Sequence, residues 1–182
     1  MSCSRRLRVF RIRGVSETRG ISIEDISLYL NDHLAGSVIA LELIDHMREK
    51  NPGTELAGFL EGLHREIKED QQLLKDLLAR FGGTESAIRK AGAWLAEKLG
   101  RAKLGLSRSE KRGTGLLEAL EGLALGIAGK QLLWRSLRAA AETLPQLRVA
   151  DFDALEKSAV AQQERVEERR LAAARDAFQP KE

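Results

Sequence analysis

Four long stretches of this chain repeat apolar residues every three or four positions, and they fall into two pairs separated by a longer connection. Such a period draws one apolar stripe along a helix, and a stripe of that length has to be buried against other helices. The first stretch, 24–49, carries Ile26, Leu30, His33, Ser37, Ala40, Leu41 and Ile44 on its inner side. The second, 54–81, carries Leu56, Leu60, Leu63, Ile67, Asp70, Leu74, Leu77 and Phe81. The third, 115–142, shows Leu116, Leu120, Leu123, Ile127, Lys130, Trp134 and Leu137. The fourth, 152–178, shows Phe152, Leu155, Ala159, Gln163, Val166, Arg170, Ala173 and Ala177. The spacing predicts an all-α domain over 22–178, with helices of ~40 Å at 1.5 Å per residue.

The punctuation agrees with these spans. Ser22 and Asp25 form a loose capping box, and Asn51-Pro52 offers an N-cap with proline at the first helical position. Gly82-Gly83 supplies a left-handed stop for the second helix, Pro145 breaks the third, and Asp151 caps the fourth. Residues 82–113 are the connection. Thr84 opens a shorter helix near 85–100, with Ile88, Ala91, Leu95 and Leu99 on one side and Trp94 as its anchor on the bundle. Antiparallel neighbours need a link of only ~2–8 residues. One this long predicts that the chain travels back along the bundle, so that the second and third helices run parallel.

Charge is unevenly spread. Residues 1–20 hold six arginines against Glu17, a balance of +5, which leaves −2 for the rest of a chain whose total is +3. The segment 1–21 therefore reads as a basic, disordered arm, and 179–182 as a short tail. The arm is the part suited to nucleic acid or an anionic membrane; the balance of the near-neutral body disfavours nucleic-acid binding there. Aromatic residues are 4% of the chain, which suits helices packed through aliphatic seams. Cys3 is the single cysteine, so there is no intrachain disulfide framework or thiolate metal cluster, and a reducing cytoplasm fits. No apolar run reaches the ~18–20 residues of a membrane span.

LNDHLAGSVIALELIDHM (30–47), EIKEDQQLLKDLLARFGG (66–83) and LALGIAGKQLL (123–133) resemble the first, second and third helices of bacterioferritins. The fourth helix matches in outline. The resemblance covers about 24–81 and 114–178, and implies a ferritin-like four-helix bundle with a long helical crossover between its second and third helices. The layout also resembles an uncharacterised bacterial branch of that superfamily, and the resemblance implies a homodimer paired through the first two helices. Metal-binding members supply a Glu from the first and third helices and a Glu-x-x-His from the second and fourth. Carried over, Ser37 takes the first-helix Glu position, Glu66 keeps the second-helix Glu, and Glu69 stands for the His. Gly126 replaces the third-helix Glu, and Gln163 and Val166 replace the fourth-helix pair. A degenerate di-iron site with no bound metal or other cofactor is the expectation.

The implied layout also places a polar layer. One turn back from Ser37 is His33, and one turn forward from Glu66 and Gly126 are Asp70 and Lys130. His33, Asp70 and Lys130 are expected in one layer beside Ser37, Glu66 and Gln163, with the Lys130 ammonium neutralising the carboxylates. Gly36, Gly62, Gly122, Gly126 and Gly129 are expected to let helices approach closely. His46 and His64 read as boundary residues, and QQERVEERR (162–170) as a solvated face with i,i+4 pairs. Neither a phosphate-binding glycine loop nor a Ser-His-Asp triad is present. Two function classes remain open. One is a non-catalytic bundle acting through its surface on an unknown protein partner. The other is an enzyme or small-ligand-binding protein using the interior layer, with or without an unconventional metal.

Overall fold

The computed structural model describes residues 23–82 and 113–180. Among these residues every regular element is helical: α1 (Ile23–Lys50), α2 (Glu55–Arg80), α3 (Gly115–Ala140) and α4 (Phe152–Ala177), with one 3-10 turn at Pro145–Leu147. The basic arm, the Ser22 cap and the crossover helix with Trp94 lie outside the described residues. No helix among those described is long and apolar enough to cross a membrane.

The helix ends have identifiable causes. The second helix is capped by Thr54, not by Asn51-Pro52: the Thr54 hydroxyl accepts from the Ala57 amide at 3.2 Å. Asn51, Pro52 and Gly53 instead make the turn between α1 and α2, because Gly53 takes a positive φ of 73° that only glycine adopts without strain. Gly82, at φ 72°, closes α2 in the same way. Asp151 caps α4 as expected, accepting from the Ala154 amide at 3.0 Å. Pro145 follows the end of α3 and starts the 3-10 turn, which drives Leu147 fully into the core.

α1 packs against α2 and α3, and α3 packs against α4. Helix direction follows from which residues meet in the core. One apolar cluster joins Ile26 and Leu30 from the start of α1, Leu77 and Leu78 from the end of α2, Trp134 from the end of α3, and Phe152 from the start of α4. The other joins Ile44 and Met47, Leu60 and Leu63, Leu120 and Leu123, and Val166 and Ala173. Hence α2 and α3 run parallel, α1 and α4 run parallel, and each pair opposes the other. α2 ends and α3 begins at opposite ends of the bundle, the relation expected of a lengthwise link.

The glycines do not play the part expected of them. A Cβ built on Gly122 would stand 3.6 Å from Leu43 Cδ2, an ordinary contact. Added at Gly36, Gly62, Gly126 or Gly129 it would meet nothing within 4 Å. These positions mark open space.

Candidate functional site

Between the two apolar clusters each helix contributes polar residues at the same height. On α1, Ser37 lies between Leu34 and Ala40; on α2, Asp70 and Gln71 lie between Ile67 and Leu74. On α3, Lys130 lies between Ile127 and Leu133; on α4, Gln162 lies between Ala159 and Val166. The result is a polar waist that divides the core in two.

The expected contact at its centre is present. Lys130 Nζ donates to Asp70 Oδ2 at 2.5 Å, and the two side chains are only 12% and 13% exposed. The ammonium donates a second hydrogen bond to Gln162 Oε1. The Gln162 side chain also favours the ionised form of Glu66. Glu66 in turn receives a two-pronged bond from Arg165, at 3.0 and 2.6 Å. That bond holds the Glu66 carboxyl below its ordinary value, helped by Gln162 and by the Arg165 and Lys130 charges and opposed by burial. The guanidinium is raised by the same partner. Two carboxylates on α2 are thus matched by one cation from α3 and one from α4, with an amide between them.

Two expected layer members take different roles. Glu66 pairs with Arg165 near the bundle surface, not with Lys130 in the interior. Its neighbour is Gln162, not Gln163. Gln162 is 1% exposed and follows Ala159 by three residues and precedes Val166 by four, so it fits the stripe. The adjacent glutamine in the sequence obscured that choice. Gln163 sits at the seam, with Oε1 buried and unpartnered among the described residues. The partly exposed face expected over 162–170 also clamps helices together: Arg165 reaches Glu66, Arg169 reaches Glu55 and lies over the Phe59 ring at 5.5 Å, and Arg170 reaches Glu121, while its bond to Glu167 stays within α4.

The α1 side of the waist is built differently. Ser37 donates to Leu34 O at 2.6 Å and accepts from Gln71 Nε2 at 2.9 Å, while Gln71 Oε1 accepts from Lys75 at 3.1 Å. His33 stands its ring edge against Tyr29, with centroids 4.8 Å apart. Burial lowers the His33 pKa, and the Asp32 charge only partly offsets this, so the imidazole is neutral at pH 7. His33, Asp70 and Lys130 line one cavity of about 90 Å³, whose rim includes Gly36 and Gly126. His64 lies outside this site, 3.7 Å from Asp45, and His46 lines a separate groove near the end of α1.

The residues present do not fit a di-iron centre. Gly126 has no side chain, Glu69 is exposed, Val166 is buried but offers no donor, and an ammonium already sits among the carboxylates. No group of three or more His, Cys, Asp or Glu side chains among the described residues could hold a metal ion. Nor is Ser37 set up as a nucleophile. The Ser37 proton is directed to a backbone carbonyl, and no described base accepts it. No protein family, characterised protein or solved structure matches this chain.

Proposed function

We propose that this is a ferritin-like bundle whose metal layer has been replaced by charged side chains, and that it is a non-catalytic interaction protein of the cytoplasm. The observation that carries the reading is the Asp70–Lys130 pair with its Gln162 contact, set between the two apolar clusters. A buried carboxylate without a partner costs several kcal/mol, and two metal ions or two cationic side chains meet the same need. Lys130 and Arg165 supply those cations. A paired, hydrogen-bonded ammonium also lacks the free lone pair that a general base or Schiff-base nucleophile requires.

Surface features support action through protein contacts. Leu125 and Leu132, two turns apart on α3, are 75% and 60% exposed, and Leu28 on α1 is 62% exposed. As a ferritin-like bundle the protein would pair with a second copy through α1 and α2 and present the α3 surface to a further protein. Elemental analysis of protein purified after growth with iron and manganese tests the central claim. We expect metal far below one equivalent per chain; near-stoichiometric metal overturns the replacement account. Sedimentation analysis tests the dimer separately, and a monomer at micromolar concentration overturns it.

A further inference from the structure

We infer that the cavity on the α1 side of the waist binds a small neutral organic molecule, one with a carboxamide or hydroxyl head on a short apolar body. The inference uses the Asp70–Lys130 pair but does not depend on that pair having replaced a metal.

The head is specified by the hydrogen-bonding capacity the walls have left. Ser37 donates to Leu34 and accepts from Gln71, and the Gln71 carbonyl accepts from Lys75 while its amide keeps one N–H. Asp70 uses Oδ2 for Lys130, which leaves Oδ1 without a described partner. Lys130 uses two of its three N–H bonds, on Asp70 and Gln162. The neutral His33 ring on the same wall adds one donor and one acceptor. Donors and acceptors therefore remain together on residues that line one cavity. A primary amide or an alcohol, itself both donor and acceptor, answers such a set with one group.

Charge decides between neutral and ionic ligands. The lysine and the aspartate cancel, so a carboxylate or an ammonium would bring one unmatched charge into a mostly apolar space. The body is specified by the remaining walls, which are Ile67, Leu74, Ile127 and Leu133. An engineered cavity of ~150 Å³ admits benzene, so about 90 Å³ holds roughly four non-hydrogen atoms. Access runs between α1 and α3. Gly36 and Gly126 on the rim are exposed, and a Cβ on either would meet nothing within 4 Å.

The test is backbone-amide NMR on the whole chain, titrated in parallel with acetamide, acetate and ethylammonium. Acetamide should give saturable shifts at the Gly36 and Gly126 amides. Both ions should bind at least about tenfold more weakly, the ratio that about 1.4 kcal/mol of charge penalty produces. Gly126→Leu fills the rim and should abolish the acetamide shifts while the spectrum stays folded. Gly58→Leu, at an exposed and open glycine of α2, controls for helix propensity and should leave binding intact. Three outcomes overturn the inference: shifts that stay linear with acetamide, equal binding of either ion, or undiminished binding in Gly126→Leu. Each is independent of metal content, so failure here is distinguishable from failure of the scaffold reading.

Discussion

The two sides of the waist obey opposite rules. On the side of α2, α3 and α4, charges alternate and each charge has a partner: Asp70 with Lys130, Lys130 with Gln162, and Glu66 with Arg165. On the α1 side Ser37, Gln71 and His33 are neutral, the rim is glycine at Gly36 and at Gly126 of α3, and space remains. The first side holds helices in register. The second leaves a gap that the helices do not close. Buried charge is tolerable only where it is matched, whereas a neutral surface tolerates a void at a cost of lost contacts alone.

The largest effect is expected on the matched side. Lys130→Ala strands Asp70 and should cost about 3–5 kcal/mol in urea unfolding. Lys130→Met with Asp70→Leu should be far milder, because the desolvation penalty leaves with the charges; equal losses in the two variants would show that the pair is not compensated in the way described. The open side should respond with the opposite sign. Gly126→Ala puts a methyl into free space on a helix and should stabilise by about 0.5–1 kcal/mol. A loss of that size would mean that the gap closes in solution.

Arg165→Met comes next and probes the outer edge of the matched side. Its side chain is 42% exposed and that of Glu66 35%, so solvent screens the pair and the loss should stay below about 1 kcal/mol. Its pH dependence is distinctive. Glu66 titrates below its ordinary 4.5 when folded, so the pair's contribution is present above 4.5 and is lost as pH falls through the folded value. Arg165→Met should flatten that acid limb. The smallest effect belongs to His33. Burial keeps its folded pKa below 6.5, so the unfolded chain takes up the proton first and stability declines as pH drops below 6.5. His33→Phe should remove that part of the slope; an unchanged thermal-melt profile over the range would place His33 in full contact with water.

Much of this was legible in the chain. Helix spans came within two residues at each end, because strong 3-4 spacing and Gly, Pro and Asp punctuation point to the same boundaries. The Asp70–Lys130 contact was legible too, since a lysine between Ile127 and Leu133 has only the interior to face. What failed was finer than a stripe can report. Adjacent residues differ by 100° around a helix, so Gln162 and Gln163 both lie near one seam, and only packing against α3 selects the first. Arg165 escaped notice because a long side chain reaches a neighbouring helix from a position that reads as exposed. The glycines misled for a related reason: a missing side chain records either close approach or open space, and the string of letters does not distinguish them.

The waist also has a consequence for how the molecule comes apart. Because it interrupts the aliphatic seam, the apolar core is two compartments joined by continuous helices and one charge network. Backbone amides around Trp134 and those around Leu63 thus belong to units that open with their own free energies. Hydrogen exchange would report two plateaus of protection, and their separation would widen as the network between them is weakened.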